Sequence, residues 1–327
     1  MHSIYPWQKP EWQQLIDRKD NGQLPHALLI KGMEGLGKYH FAQSFAEMML
    51  CQKGGTKACG ECSTCQLLKS NNHPDLMVVR PEEPGKAIKI DQIRELVTDL
   101  NNTSQQGGHK IVIIDHAELL NIAASNALLK TLEEPGAHVI IILISSHPAA
   151  LSATIRSRCQ AISIKAPSQP QAEEWLKQQA LTADPKLVLS LAENAPLKAL
   201  DLAKEEDWRA RQEFFQHLYT LQNKKMSSVQ VAEHCLDWDL KPLLLLFMHL
   251  VTDLVKIKLN AVETIVNQDQ AENLVQLAAK ITLHNLLAYQ TQLFQLQQHL
   301  VKNINLNKQL TIENLIITWT QLFGEQC

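Results

Sequence analysis

An α/β domain built on a parallel sheet, followed by two all-helical parts, is the fold that this sequence predicts. Three observations carry the prediction. Over residues 1–165 short apolar runs alternate with amphipathic stretches of helical period, the pattern of strand–helix–strand units. The run Ile111–Ile114 is apolar at every position, as a strand buried on both faces requires. Beyond residue 170 no strand pattern recurs, and Leu and Gln are prominent in the last third.

Taken in order, the candidate strands are Ala27–Lys31, Leu76–Arg80, Lys110–Asp115, Val139–Ser145 and Ala161–Ile164. Helical patterns fall between them at Tyr39–Leu50, Ile90–Leu100 and Ala123–Glu134, the last stopped by Pro135-Gly136. The stretch Lys165-Ala166-Pro167-Ser168-Gln169-Pro170 reads as a linker. Residues 170–206 hold three short helices broken at Asp184-Pro185 and Asn194-Ala195-Pro196, and from Trp208 to Phe323 the pattern is helical throughout. The expected division is therefore an α/β domain at 1–166, a small helical domain at 167–207 and a larger all-helical domain at 208–327. The acidic run Lys204-Glu205-Glu206-Asp207 suits a solvated helix end, and the Leu stripe at Leu243, Leu246, Phe247 and Leu250 suits a core or a subunit interface.

Composition narrows the function classes. Of 327 residues, 45% are apolar and 20% charged, an ordinary globular balance that excludes disorder and low complexity as the main state. The 31 basic and 34 acidic residues leave a net charge of −3. Neutralising phosphates supplies most of the affinity for duplex DNA, so this chain is not expected to grip DNA alone; a modest contact shared with other subunits stays open. The longest apolar run, Leu243–Val251, is too short to span a bilayer. The opening MHSIYPWQKPEW has no basic segment followed by an apolar core, and the expected location is the cytoplasm.

The seven cysteines are unevenly placed. Cys159, Cys235 and Cys327 are scattered, whereas Cys51, Cys59, Cys62 and Cys65 follow the spacing C-x7-C-x2-C-x2-C. In a reducing compartment a tight cluster points to a metal rather than to disulfides. Short C-x2-C turns let thiolates converge on one tetrahedral ion, and four cysteines leave no open catalytic position, so the expectation is structural zinc within a module at 51–65. Glycines between the cysteines permit tight turns, and Lys53 and Lys57 offset thiolate charge. An iron–sulfur cluster of the C-x2-C-x2-C-x3-C kind would need a cysteine where Lys69 stands.

After the first strand comes Gly32-Met33-Glu34-Gly35-Leu36-Gly37-Lys38-Tyr39 and then a helix. Gly32, Gly37 and Lys38 match the G-x-x-x-x-G-K phosphate loop in its proper strand–helix context, with Gly35 inside it. Backbone N–H groups would face the phosphates and Lys38 the β/γ oxygens. The next position should carry the Ser or Thr hydroxyl that holds Mg²⁺, and it is Tyr39. Asp115 ends the strand Lys110–Asp115 where an acid would contact that ion, but His116 follows it rather than a Glu, and Glu118 comes three residues after Asp115. A glycine turn without ligand, nucleotide binding without turnover, and hydrolysis are the three readings, and hydrolysis has the least support because this chemistry depends on positioning.

Downstream, Thr154-Ile155-Arg156-Ser157-Arg158-Cys159 precedes the last strand. Together with Ser125-Asn126-Ala127-Leu128-Leu129-Lys130-Thr131-Leu132-Glu133-Glu134-Pro135, it gives the chain a resemblance to bacterial clamp-loader subunits of the AAA+ class. That resemblance is strong over residues 24–165 and compatible beyond them. It implies a P-loop domain, a helical lid at 167–207 and a helical collar for oligomerisation at 208–327. It also implies that Arg158, in an intact Ser-Arg-Cys, is an arginine finger for ATP bound on the neighbouring subunit; such a guanidinium accelerates phosphoryl transfer by about 10³ or more. The cysteine module, the degraded phosphate loop, His73-Pro74-Asp75 and the intact Ser157-Arg158-Cys159 resemble in particular the family's non-hydrolysing stator.

The resemblance further implies a ring of five subunits with gamma/tau-type motors and a delta subunit, acting through the complex on a sliding clamp and primed DNA. Two departures are visible. Lys38 is retained, so ATP binding stays open, and only Lys198 stands near the place where motor subunits carry a lid arginine. A sensor hydroxyl could come from Ser145 or Ser146. Arg156 is read as facing water or DNA, and whether it or Lys130 touches DNA is left open by the sequence. The competing readings are an ATP-hydrolysing motor of the same machine and a free-standing nucleotide-sensing zinc module.

Overall fold

The computed structural model describes residues 3–323 apart from 101, 107, 182, 224, 302 and 303, so Cys327 lies outside the described residues. Contacts divide the chain into two compact units, Met1–Gln171 and Ala172–Cys327.

The first unit is built on strands β1 (Ala27–Lys31), β2 (Leu76–Val79), β3 (Lys110–Ile114), β4 (Val139–Ser145) and β5 (Gln160–Ser163), in the order β2-β3-β4-β1-β5. All neighbours pair in parallel. Every residue of β3 and β4 is buried, which explains the unbroken apolar runs, because a central parallel strand meets helices on both faces. Alternate residues split between the faces: Leu29, Val112, Ile114, Ile141 and Leu143 share one core. That core includes Ile93 and Leu96 of α4 (Ile90–Leu100) and Leu128 and Leu132 of α5 (Ile122–Glu133). Each fully buried Leu or Ile contributes about 1.5–3 kcal/mol. Helix α2 (Lys38–Leu50) lies against β1, β3 and β4 and buries Phe41 and Phe45.

Several elements differ from the sequence pattern. No element is assigned before Ala27 from sequence, yet a short turn at Pro6–Gln8 leads into α1 (Lys9–Asp20), whose Trp12 meets Phe41 edge-on at 5.5 Å. The cysteine module runs into α3 (Ser63–Lys69), whose first turn carries Cys65. Arg158 ends a short helix not assigned from sequence, α6 (Ala153–Arg158), whose first turn is capped by the Ser152 hydroxyl accepting from the Ile155 N–H at 3.3 Å. The expected linker is shorter than Lys165–Pro170, because α7 (Gln169–Lys177) already begins at Gln169. Pro170 is no obstacle there, since first-turn N–H groups have no helical partner.

Among its described residues, every regular element of the second unit is a helix. Pro185 opens α8 (Pro185–Leu191) behind an Asp184 cap, and Pro196 opens α9 (Pro196–Leu202), with Lys198 in its first turn. These helices share a small core of Ala172, Leu176, Val188, Leu189 and Ala199. A second, larger core joins α10 (Glu205–Gln222), α11 (Ser228–Cys235), α12 (Leu240–Lys258), α13 (Ala271–Lys280), α14 (Leu283–Val301) and α15 (Lys308–Gln321). Leu243, Phe247 and Leu250 belong to it, so the leucine stripe is core. Arg211 is buried there and forks onto Asp269 at 2.7 and 2.9 Å. Among the described residues no helix is long and apolar enough to cross a membrane.

His73-Pro74-Asp75 has a structural role. Asp75 is fully buried at the entry to β2, and its carboxylate accepts from the Ser104 hydroxyl at 3.0 Å and from the N–H groups of Gln105 and Gln106 at 2.9 and 3.0 Å. The motif thus pins the segment between α4 and β3. Asp75→Ala leaves those donors without their acceptor and is expected to lower stability by about 2–4 kcal/mol, read as an earlier transition in thermal melting of the full chain.

Candidate functional site

The phosphate loop leaves β1 and enters α2. Gly32 must lack a side chain, because a Cβ there would stand 2.4 Å from the Ile164 carbonyl oxygen. Gly37 caps α2 with φ +76°, and a Cβ on it would meet the Tyr5 ring at 2.6 Å. Gly35 lies in the turn between them. The N-terminal segment braces this loop from outside. Trp7 Nε1 donates to the Leu36 carbonyl at 3.0 Å, and Gln8 Nε2 donates to the carbonyls of Leu36 and Gly37, each at 2.9 Å. Tyr5 stacks on Trp7 with ring centres 4.9 Å apart.

Lys38, the first residue of α2, is buried and folds back across the loop. Its Nζ donates to the Met33 carbonyl at 2.7 Å and to the Ser146 hydroxyl at 2.9 Å. Burial lowers its pKa, against the attraction of Glu118, Glu34 and Asp115. Of the two candidate sensor residues, Ser146 therefore touches the lysine, whereas Ser145 is buried and accepts from the His147 N–H at 3.1 Å.

Beside them Glu118 accepts from the Ser146 N–H at 3.3 Å, with His116 and His147 at 3.7 and 3.8 Å. Burial alone would raise the Glu118 pKa. The nearby His116 ring, its own backbone N–H, and Ser145 and Ser146 outweigh that and hold it at about 2.

Asp115 stands at the mouth of β3, and both its oxygens are engaged. One accepts from the His116 N–H at 3.1 Å, and the other faces Arg80 Nε at 3.3 Å. The Arg80 guanidinium in turn lies over the Tyr39 ring, 3.9 Å from its centre. The parallel register explains the meeting: Val79 pairs with Ile114, so Arg80 and Asp115, each one residue further on, emerge side by side.

The four clustered cysteines converge. Their sulfurs all lie within 4.8 Å of one another, with Cys59 and Cys65 3.8 Å apart. Four thiolates about 2.3 Å from one tetrahedral ion would be spaced by about 3.8 Å, so the residues fit zinc. Backbone N–H groups of Glu61 and Cys62 point at Cys59 Sγ at 3.5 and 3.4 Å and lower its pKa. Burial raises that of Cys65. Lys53 pairs with Glu61 at 3.1 Å. Cys159 and Cys235 stand apart from the cluster, and burial pushes each thiol up to about 11, the mark of unreactive thiols.

Arg158 is partly exposed and paired. Its guanidinium donates to the Thr154 carbonyl at 3.0 Å and forms an ion pair with Glu133 at the end of α5. Arg156 and Lys130 are exposed. Arg80, the Tyr5–Trp7–Gln8 brace, Glu133 and the engagement of Glu118 are what sequence reading missed. Of these only Arg80 left a signal: it ends its apolar run as Asp115 ends the next.

Comparison with known proteins agrees along nearly the whole chain. Residues 7–168 match the family model described as DNA polymerase III, delta subunit, and residues 205–321 match the one described as DNA polymerase III, delta subunit, C terminal. The DNA polymerase III subunit delta′ of Pseudomonas aeruginosa is 35% identical, with 99% of each chain covered. The subunit of that name from Yersinia pestis is 33% identical over 96% of this chain and 95% of its own, and that from Escherichia coli K12 is 31% identical over 96% and 94%.

The held carboxylate makes the pocket pH-dependent. Because the folded pKa of Glu118 is about 2, below its ordinary value, its stabilisation is complete above the unfolded pKa of about 4.3 and is lost as pH falls through the folded value. Glu118→Gln is expected to destabilise the chain by about 1–3 kcal/mol at neutral pH. Urea titrations repeated at descending pH should show that difference shrinking below about pH 4.

Proposed function

The chain belongs to the family of DNA polymerase III delta′ subunits, and on that premise we propose that it is the stator of a clamp loader, a subunit that does not hydrolyse ATP and lends Arg158 to a neighbour. The observation that carries this reading is an asymmetry within one domain. The phosphate loop has its glycines and Lys38 but a phenol at position 39 where a short hydroxyl is needed, whereas Ser157-Arg158-Cys159 is intact and its guanidinium is partly exposed at the end of α6.

A planar guanidinium suits the charge that spreads over a transferred phosphoryl group. In this role Glu133 and the Thr154 carbonyl hold Arg158 at a set angle, and the γ-phosphate oxygens of ATP on the adjacent subunit take over the edge that Glu133 pairs. Gly32, Gly35, Gly37 and Lys38 form the chain's own degenerate nucleotide site, and Asp115 closes its acidic side. Cys51, Cys59, Cys62 and Cys65 hold a structural Zn²⁺ that fixes the turn between α2 and α3.

The neighbours are gamma/tau-type motor subunits and a delta subunit in a ring of five, with residues 167–207 as lid and 208–327 as collar. Sliding clamp and primed DNA are reached through the complex, in keeping with a net charge of −3 and a cytoplasmic place of work. One observation favours a motor instead: Lys38 is retained, with the carboxylate of Glu118 close enough to bias its pKa.

ATP turnover separates the two. The isolated chain should be silent, and the assembled complex with clamp and primed DNA should turn over ATP. Arg158→Ala should slow the site it serves by about 10³ and lower complex turnover severalfold, with its own melting temperature unchanged. Brisk turnover by the chain alone would establish the motor. Zinc analysis should find about one equivalent per chain. Cobalt substitution should give the absorption of a tetrahedral thiolate site, lost in Cys62→Ser.

A further inference from the structure

Arg158 is anchored from two sides, and the two anchors differ in kind. One belongs to its own helix: Nη1 donates to the Thr154 carbonyl, one turn back in α6, at 3.0 Å. The other comes from a separate helix, where Nη2 pairs with Glu133, the last residue of α5. Leu128 and Leu132, buried in the core against the sheet, fix α5 behind that carboxylate. The first anchor travels with the arginine, whereas the second can open without disturbing α6.

We propose that Glu133 is a positioning residue for Arg158: a resting partner that competes with the γ-phosphate of ATP on the neighbouring subunit and takes the guanidinium back when that phosphate has gone. The inference rests on the reading of Arg158 as an arginine finger and adds the group that sets its resting state. Three features argue for it. The pair lies at the surface, with side chains 34% and 48% exposed, and an ion pair in water is weak enough to exchange. The incoming phosphoryl group is the stronger acceptor, since it has three oxygens and more than one negative charge, against the two oxygens and single charge of a carboxylate. Finally, Glu133 stands at the carboxyl end of α5, where the helix dipole disfavours negative charge. An unpaired Glu133 is therefore unfavourable, and this is what draws Arg158 back. A guanidinium has five N–H donors, so the Thr154 anchor persists in both states and the arginine changes partner about a fixed point.

The test is the rate at which this subunit exchanges out of the assembled complex with its motor and delta partners. Full-length chain carrying a fluorescent label is chased with excess unlabelled chain, once with a non-hydrolysable ATP analogue and once with ADP. Glu133→Gln keeps the shape and removes the charge, so engagement of Arg158 no longer breaks an ion pair. It should slow exchange with the analogue by about two- to fivefold, the worth of one exposed pair, and leave exchange with ADP unchanged. Glu133→Asp, which restores the charge on a shorter side chain, should fall between. Arg158→Ala should speed exchange with the analogue, and Glu133→Gln added to it should change nothing more, because Glu133 acts only through the arginine. Melting temperatures confirm that each variant is folded.

Exchange of Glu133→Gln that is unaltered, faster, or slowed equally with both nucleotides overturns the proposal and leaves Glu133 a structural contact. So does an effect of Glu133→Gln that survives in the Arg158→Ala background. Each of these results leaves the finger reading standing as long as Arg158→Ala alone speeds exchange with the analogue. If Arg158→Ala alone changes nothing, the finger reading fails and the proposal falls with it.

Discussion

The parallel pairing of the sheet is the constraint on which everything else in the first unit depends. Parallel strands deliver all their carboxyl ends to one edge, and here those ends release Gly32, Arg80, Asp115 and Ser146 within a few residues of the ladder. The chemistry of the pocket is therefore a matter of register. With Val79 opposite Ile114, and Lys31 opposite Ser145, the side chains that follow must meet. The apolar interior of β3 and β4 makes that register stiff, because a slip of one residue would turn every buried side chain to the other face.

The groups at this edge form an electrostatic circuit that is closed but for one atom. Lys38 is satisfied by a loop carbonyl and by Ser146, and Asp115 by a backbone N–H and Arg80, while Glu118 meets the Ser146 N–H and two histidines through one oxygen and leaves the other, Oε2, buried without a hydrogen-bond partner. An ATPase site leaves some of these groups waiting for metal and water. Engaging Lys38 and Asp115 internally supports the non-hydrolysing role proposed above. Arg158 shows the same economy, since Glu133 keeps a guanidinium ordered that would otherwise sample many rotamers.

Much of this was legible in the sequence because it depends on local spacing. The strands, the phosphate loop and the cysteine module are read from periods and intervals that lie within a few residues of one another. The contacts that were not legible join distant positions through the fold. Arg80 and Tyr39 come from different strand–helix units, Glu133 and Arg158 lie on separate helices, and Tyr5, Trp7 and Gln8 reach a loop about thirty residues away. Short helices such as α6 and α3 escaped because six or seven residues are too few to display a helical period. The Asp75 anchor lay in a motif that sequence could flag, but its partners arrive from the segment after α4.

The bracing of the phosphate loop by Trp7 and Gln8 has a thermodynamic consequence. A loop whose carbonyls are already tied down, and whose left-handed glycine packs on an aromatic ring, has no large disorder to surrender when a ligand arrives and none to regain when it leaves. A loop held in one shape in this way has little mechanical signal to pass to the rest of the subunit. On the stator reading proposed above, such a subunit would be the fixed reference against which the movements of its neighbours are exerted.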